Sequence, residues 1–305
     1  MVKKDKNAPA PANAPVDVAA LKKNGFMPQK QPNLFSMRLK VTGGQVTAAQ
    51  LRHIAAIAEK YGRGYAHFTS RQSVEIPFVA LADIDALKQD LAGVIEISSG
   101  GARVRTITAC QGAAVCASGK IDTTALADEL DRRYFGRALP HKFKIGVTGC
   151  KNNCLKAEEN DLGIKGGVLP KWQKKKCNFC GACVKICPAK TLTLTDKKIT
   201  VGDACRYCGQ CVKICPPKAW SGKNGYVLSF GGMFGNQIQP GARLLPFLRD
   251  RADVFRAADA VLAFFAANGK AGERLGKLLA RAGAEKLRAA LEAAVASAHS
   301  FNAKL

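Results

Sequence analysis

One cysteine pattern occurs twice in this sequence and constrains it more than any other feature. The pattern is C-x2-C-x2-C-x3-C-P, and its two copies lie 28 residues apart. Three closely spaced cysteines can hold three corners of a 4Fe-4S cubane, while the fourth reaches the neighbouring cluster. The repeat therefore predicts two clusters, one held by Cys177, Cys180, Cys183 and Cys215 and the other by Cys205, Cys208, Cys211 and Cys187.

A pair of zinc sites is the alternative interpretation, since C-x2-C occurs in both chemistries. Structural zinc usually separates its two C-x2-C halves by about a dozen residues or more. The compact repeat therefore favours clusters and predicts a bacterial-type dicluster ferredoxin module over residues 171–221. Such a module alone would be an electron carrier.

Four further cysteines complete the total of twelve. Cys110 and Cys116 are spaced C-x5-C, Cys150 and Cys154 are spaced C-x3-C, and each pair follows a predicted strand. Four thiolates at strand ends suit a third cubane, although either pair alone would be weak evidence.

Composition argues against several classes of protein. The 305 residues are 47% hydrophobic and 23% charged, as in a folded globular protein. Clustered cysteines in a long chain without a secretory leader indicate metal ligation, not disulfides. No run of about 18 apolar residues occurs, so we expect no membrane span and a cytoplasmic location. The net charge of +24 would suit nucleic acid, but the basic residues are dispersed without a nucleic-acid motif, so no such partner is expected.

The first part of the chain predicts a tail followed by a small α+β unit. Residues 1–33 open with an Ala-, Pro-, Lys- and Asn-rich segment and predict a flexible tail. Hydrophobic periodicity then predicts strands at 34–41, 65–69, 73–79 and 93–97 and helices at 47–60 and 82–91. This β-α-β-β-α-β order predicts a ferredoxin-like half-domain over 34–97.

A second α/β domain is expected on both sides of the cysteine module, over 98–170 and 222–305. Its predicted elements are strands near 103–109, 142–148, 162–168 and 226–230 and a helix near 122–134. An Ala/Leu-rich helical pattern over 252–298, broken near Gly269 and Gly283, predicts two or three closing helices that pack on the core. The predicted fold class is α+β with an inserted module.

The second cysteine group resembles the signature of the sirohaem-dependent sulfite and nitrite reductases, in which C-x5-C is followed some 34 residues later by C-x3-C. In that family the last cysteine also bridges to the haem iron, so the resemblance implies that Cys154 is the shared ligand. The implied cofactors are one sirohaem and three 4Fe-4S clusters. With one half-repeat and an inserted module, the chain is most similar to a subunit of the anaerobic sulfite reductases and to the dissimilatory-type sulfite reductases.

Basic residues extend this resemblance from about residue 34 to residue 247. Family members place an Arg-Gln pair after a strand, an Arg before the first cysteine and a Lys-Phe-Lys triplet after Leu-Pro. The matching residues here are Arg71-Gln72, Arg105 and Lys142-Phe143-Lys144. Gln111 and Lys151 depart from the pattern, since many relatives have proline at both positions.

The resemblance implies a six-electron reduction of sulfite to sulfide. Arg71 and Arg105 would hold the oxyanion, and Lys142 and Lys144 would donate hydrogen bonds and protons. Asn152 would bind the cofactor. Nitrite is the alternative substrate, but relatives specialised for nitrite tend to have Asn at the second Lys of the triplet. A non-catalytic electron-transfer or sirohaem-binding subunit is a further alternative.

Electrons must come from another protein. No G-x-G-x-x-G fingerprint lies between a strand and a helix, so neither NAD nor flavin is expected on this chain. The expected partner is an electron-donor protein or a flavin subunit.

The active site is expected to be shared between two chains. Lys142 and Cys150 are eight residues apart, roughly 26 Å along an extended strand, whereas a lysine side chain reaches only about 6 Å. Longer relatives carry two copies of this half, so we expect a homo-oligomer or a paralogous heterodimer. A bend at Gly146 or Gly149 that folds the strand back within one chain is the competing interpretation.

Overall fold

The computed structural model describes residues 16–302, and its first elements lie where composition predicts a tail. Helix α1 spans Val18–Lys23 and strand β1 spans Phe26–Pro28. Strand β1 pairs antiparallel with β2, Leu34–Arg38, and Phe26 is fully buried. The tail prediction is therefore wrong for residues 18–28, because a three-residue strand is too short to show a period. Residues 1–15 lie outside the described residues.

The half-domain continues in the predicted order. Its elements are α2 Ala48–Tyr61, β3 His67–Phe68, β4 Val74–Ala80 and α3 Ile84–Leu91. They build an antiparallel sheet of order β1-β2-β4-β3. A capping box starts α2: the Thr47 hydroxyl accepts the Gln50 N–H at 3.1 Å, and the Gln50 side-chain oxygen accepts the Thr47 N–H at 2.9 Å.

The strand predicted at 93–97 does not form. This segment makes one isolated antiparallel bridge, between Ile97 and Leu39. Strand β1 pairs with β2 from Phe26, opposite Met37. On this edge of β2, the pairing with β1 therefore leaves only the end of the strand free to pair with residues 93–97.

The second domain begins with parallel strands. Its first elements are β5 Thr108–Ala109, α4 Thr123–Tyr134, β6 Ile145–Thr148 and β7 Leu162–Trp172. Strands β5 and β6 are shorter than predicted. Val104 forms an isolated bridge with Phe143, and Thr108 pairs with Gly146. The number of residues between the paired positions therefore changes by one, and the hydrogen-bonded ladder of the two strands is interrupted between these pairs.

The cysteine-rich segment lies within the connection of a long β-hairpin. Its elements are α5 Ala182–Ile186, β8 Leu192–Thr195, β9 Lys198–Val201 and α6 Gln210–Ile214. The sequence repeat is also a backbone repeat, since Gly181 and Gly209 have φ values of 71° and 72°. Strand β10, Trp220–Phe230, then pairs with β7 along its full length.

The second sheet has the order β10-β7-β6-β5, and three helices complete the domain. They are α7 Arg251–Asn268, α8 Leu275–Ala282 and α9 Ala284–Asn302, with breaks at the two predicted glycines. Phe265 of α7 is fully buried, and its ring centroid lies 5.8 Å from that of Phe143. Within residues 16–302, we find no helix with the length and apolar character to cross a membrane.

Candidate functional site

A basic pocket of about 220 Å³ lies at the amino-terminal ends of β5 and β6. It brings together all four predicted anion ligands, Arg71, Arg105, Lys142 and Lys144. Its other lining residues, which the sequence did not indicate, are Arg38, Thr69, Ser73, Ser98 and Thr106. Five of these nine side chains are cationic, so the pocket is suited to an anion.

The two predicted arginines are held by different partners. Arg71 donates to the Asn160 side-chain oxygen and to the Thr106 carbonyl, both at 3.1 Å. Burial lowers the pKa of Arg71 to about 10, and Arg105 adds to this effect. Arg105 donates to the carbonyls of Ser99 and Gly101 at 3.1 and 2.9 Å. Its Nε atom is buried without a partner among the described residues, so it can donate to a ligand.

The two predicted lysines present free ammonium groups. Within residues 16–302, neither Lys142 nor Lys144 makes a side-chain hydrogen bond or ion pair. Burial, followed by the charges of Arg71 and Arg274, lowers the pKa of Lys144 to about 8. Burial and Arg274 also lower the pKa of Lys142. Both groups therefore lose a proton more readily than an exposed lysine.

A fully buried carboxylate lies beside this pocket. Asp161 accepts the Lys144 backbone N–H at 2.8 Å and two hydrogen bonds from Arg274, at 3.1 and 2.8 Å. Burial raises the pKa of Asp161, and the Arg274 guanidinium opposes this rise. The sequence assigned the C-terminal helices to core packing alone, yet Arg274, directly before α8, supplies the counter-charge for Asp161.

The second cysteine group lies at the opposite, carboxyl-terminal ends of β5 and β6. The Cys110 thiol accepts the Gly149 N–H at 3.0 Å, so the two cysteine loops meet there. Cys150 is buried, whereas Cys116 and Cys154 are exposed. Asn152 is exposed in the same loop. Exposed thiols on an open face leave room for a further group next to Cys154.

Three glycines allow the backbones behind these cysteines to approach closely. A Cβ atom on Gly149 would lie 2.8 Å from the Gly112 Cα, and one on Gly166 would lie 2.3 Å from the Gly149 carbonyl oxygen. Real Cβ atoms do not approach other atoms so closely. Larger residues at Gly149 or Gly166 would therefore force the cysteine loops apart.

In the cysteine-rich module, the residues predicted to hold one cluster line a single cavity. They are Cys187, Cys205, Cys208 and Cys211. Cys187 comes from the other copy of the cysteine pattern, yet it is close enough to Cys205 to contribute to the rise in the pKa of Cys205. That rise is mainly due to burial. Of the other set, Cys177, Cys180, Cys183 and Cys215, all but Cys180 lie in one apolar cluster with Trp172 and Trp220, and this cluster also contains Cys187 and Cys211 of the first set.

Among residues 16–302, no group of three or more His, Cys, Asp or Glu side chains converges closely enough to hold one metal ion. Each cysteine of a cubane binds a different iron atom, so its ligands do not share a single centre.

The module and the second cysteine group face each other across a cavity of about 520 Å³. Cys150 and Asn152 line one side, and Tyr207 and Cys208 line the other. The Val168 N–H of β7 donates to the Tyr207 carbonyl at 2.8 Å, which fixes the Cys208 loop against the sheet.

A larger cavity, of about 1160 Å³, is a groove lined mainly by the half-domain. Its charged lining residues are Lys40, Lys88, Glu96 and Asp128, so it carries no excess of positive charge. The smaller basic pocket is the better candidate for an anion, because charge and free donors decide that recognition.

Two models of known protein families match this chain. Residues 100–298 match the family described as "Nitrite and sulphite reductase 4Fe-4S domain", and residues 27–94 match the "Nitrite/Sulfite reductase ferredoxin-like half domain". The chain belongs to the nitrite and sulfite reductase family. This family consists of sirohaem-type oxidoreductases, so membership implies sirohaem and 4Fe-4S chemistry.

Two curated members of the nitrite and sulfite reductase family are about one-third identical to this chain. Coenzyme F420-dependent sulfite reductase of Methanocaldococcus jannaschii is 32% identical over 251 residues, which are 79% of this chain and 39% of the relative. A subunit of the anaerobic sulfite reductase of Salmonella typhimurium is 32% identical over 185 residues, which are 56% of this chain and 54% of the relative. The chain therefore spans about half or less of these relatives' lengths.

Two solved structures share the fold of this chain. Dissimilatory sulfite reductase I superposes with a TM-score of 0.68 at 19% identity, over 85% of this chain and 69% of that one. The NirA protein of Mycobacterium tuberculosis superposes with a TM-score of 0.64 at 19% identity, over 91% and 46%. These matches confirm the mixed α+β fold with its ferredoxin-like half-domain.

Proposed function

We propose that this chain is the catalytic subunit of a sulfite reductase that reduces sulfite to sulfide with six electrons. The observation that carries this proposal is the basic pocket, in which three guanidinium and two free ammonium groups converge in a member of this family. Guanidinium groups stay charged and match the geometry of oxyanions. Sulfite is an oxyanion that such a pocket can bind.

The four predicted basic residues would have different roles. Arg71 is already held by Asn160 and Thr106, so its orientation is set before a ligand arrives. The unpartnered Arg105 Nε would donate to a substrate oxygen. Lys142 and Lys144 would donate hydrogen bonds and then protons to the S–O oxygens that leave as water. A Lys144 pKa of about 8 keeps this group mainly protonated at neutral pH yet able to release its proton.

The second cysteine group has the donors that a coupled centre needs. Cys110, Cys116, Cys150 and Cys154 would hold one 4Fe-4S cluster, with Cys154 shared with a sirohaem and Asn152 as a hydrogen-bond partner. Sirohaem would supply an electron-rich iron at which the sulfur of sulfite is bound. The exposure of the Cys154 thiol fits a residue that serves two groups.

The inserted module would hold the other two clusters, in the cysteine sets that the repeat predicts. The shared cavity lining of Cys187, Cys205, Cys208 and Cys211 supports the crossed pairing. The Cys208 loop faces the Cys150 loop, so this cluster would be the neighbour of the coupled centre. On this assignment the half-domain begins at β1 and spans 26–97, and the other domains are the discontinuous 98–170 with 222–305 and the inserted 171–221.

The active unit would contain two chains of this kind or one paralogous partner. The basic pocket and the second cysteine group lie at opposite ends of the same parallel strands. Gly146 pairs with Thr108 on one side and with Gly163 on the other, so the strand runs straight through this position. A two-fold arrangement would bring the pocket of one chain to the cysteines of its partner.

Product analysis tests the proposed activity directly. Purified holoprotein, reduced chemically, is supplied with sulfite and nitrite in parallel, and sulfide and ammonia are measured. We expect sulfide as the main product with the higher kcat/KM for sulfite. Faster formation of ammonia would favour the nitrite alternative, and oxidation of the reductant by neither anion would favour a non-catalytic role.

Cofactor content provides an independent prediction. Three cubanes and one sirohaem require about thirteen iron atoms per chain. We expect this value from iron analysis of anaerobically purified protein, together with the visible absorption of sirohaem. A value near eight without sirohaem absorption would contradict the coupled centre and leave only the module clusters.

Lys144→Asn should shift the preference from sulfite toward nitrite. The substitution removes one positive charge and one proton donor from the pocket, and a hydrogen bond to a charged group contributes enough for a change of about tenfold in the kcat/KM ratio. Because the pKa of Lys144 is about 8, the wild-type rate should fall as pH rises through that value. The variant should lack this dependence.

Lys286→Asn is the matched control, because it removes the same charge from the exposed surface of α9. The control should leave both the anion preference and the pH profile unchanged. Identical sulfite-to-nitrite ratios in wild type and Lys144→Asn would show that Lys144 does not contact the substrate.

A further inference from the structure

The cysteine-rich module carries a large excess of positive charge. Residues 171–221 contain eleven Lys or Arg but only two Asp or Glu. The eleven basic side chains are all exposed, and none of them forms an ion pair within residues 16–302. Exposed charges without internal partners contribute little to folding, whereas they strongly influence how other molecules approach.

Part of this charge surrounds the cysteines that face away from the second cysteine group. None of Cys177, Cys180, Cys183 and Cys215 is among the described residues that line the cavity shared with Cys150. Cys180 is exposed. Six exposed lysines lie within three residues of members of this set. One of them, Lys213, lines the cavity shared with Cys150. The other five are Lys174, Lys175, Lys176, Lys185 and Lys218. We call these five residues the lysine surface.

An apolar residue lies within the lysine surface. Ile186, next to Lys185 on α5, is 41% exposed. Protein interfaces commonly combine an apolar centre with a charged rim. The surface therefore has both the apolar contact and the charge for docking a protein rich in carboxylates.

We propose that the lysine surface is the docking site for an acidic one-electron carrier protein, which delivers electrons to the cluster of Cys177, Cys180, Cys183 and Cys215. The inference rests on the proposed cluster assignment and specifies the partner of that module. One electron leaves the reduced carrier and reduces one 4Fe-4S cluster from the 2+ to the 1+ state. No bond is made or broken and no proton moves.

Stopped-flow kinetics in the absence of sulfite tests this docking site. The probe is flavodoxin hydroquinone, an acidic one-electron donor whose oxidation to the semiquinone is followed by its visible absorption. We expect Lys174→Gln/Lys175→Gln/Lys176→Gln to lower the second-order rate constant about tenfold at low ionic strength. The wild-type rate should fall steeply with added salt, and that of the variant much less.

A charge-matched variant is the control. Lys270→Gln/Lys277→Gln/Lys286→Gln removes three exposed lysines from the C-terminal helices and their connection, and should leave the rate unchanged. Reduction by dithionite should be equal in all three proteins, which shows that the clusters are intact. If iron is lost from the first variant, Lys185→Gln/Lys218→Gln makes the same test.

Equal rates for the two triple variants and wild type would overturn the proposal. Binding of a fluorescent DNA duplex tests the other explanation of the charge, which is nucleic-acid binding. Loss of DNA affinity in the first variant, with unchanged flavodoxin rates, would assign the charge to nucleic acid and would also overturn the proposal. The proposed activity is tested separately. A protein that accepts electrons at this surface but forms no sulfide would retain the docking site and lose the sulfite reductase assignment.

Discussion

Mixing two inactive chains is expected to restore sulfite reduction. A Lys142→Ala/Lys144→Ala chain keeps its cysteines, and a Cys154→Ser chain keeps its basic pocket. If the pocket of one chain serves the cysteine group of its partner, each heterodimer contains one intact site of two. Random pairing would then give roughly a quarter of the wild-type number of sites.

The strand geometry is the reason for this expectation. Lys144 and Cys150 are six residues apart, which corresponds to roughly 20 Å along an extended strand. The competing interpretation placed a bend at Gly146 or Gly149. Gly146 is paired on both sides and cannot provide it, and Gly149 lies against Cys110, which keeps both cysteine loops at the carboxyl-terminal end.

Two affinity tags allow the heterodimer to be purified and its activity measured without either homodimer. The mirror-image control pairs wild type with a Lys142→Ala/Lys144→Ala/Cys154→Ser chain. Sharing predicts no intact site in that heterodimer, whereas a site within one chain predicts that half of the sites remain. An inactive first heterodimer together with a half-active control would therefore defeat the shared site.

Most regular elements were predictable because their determinants are local, and the proposed cysteine sets rest on local spacing in the same way. Cluster ligands follow a fixed spacing over a few residues, and α2 has both its capping box and its apolar face within one segment. Strand β1 escaped prediction because three residues show no period. The 93–97 segment was mispredicted because strand formation depends on which edge of β2 is free, and β1 already occupies most of it.

The surroundings of the basic pocket were less predictable, because they depend on distant contacts. Arg71 and Arg105 were found through a motif, but their partners belong to other segments. Asp161 and Arg274 are 113 residues apart, and no local pattern relates them. A polar pair, Asn160-Asp161, directly before the buried strand β7 was the one available signal, since buried polar groups require partners.

Arg274→Met should destabilise the protein strongly, by about 3–5 kcal/mol, because it leaves a buried carboxylate without its counter-charge. Asp161 is fully buried and the side chain of Arg274 is 11% exposed. Urea unfolding of wild type and variant, followed by circular dichroism, measures the effect. Arg281→Met, which removes an arginine from the more exposed pair with Glu273, is the matched control and should have a much smaller effect.

The pH dependence distinguishes an uncompensated charge from simple loss of packing. Burial raises the pKa of Asp161 and Arg274 counteracts it, so the substitution should raise that pKa further. The folded variant would then bind a proton more tightly than the unfolded chain, and its stability should be lost as pH rises toward neutrality. We therefore expect the loss of stability relative to wild type to be largest at neutral pH and to shrink on acidification.

Arg274→Met/Asp161→Asn should recover most of the loss, since the amide can still accept the Lys144 N–H. A deficit that is independent of pH and persists in the double variant would mean that Arg274 stabilises the fold through packing alone.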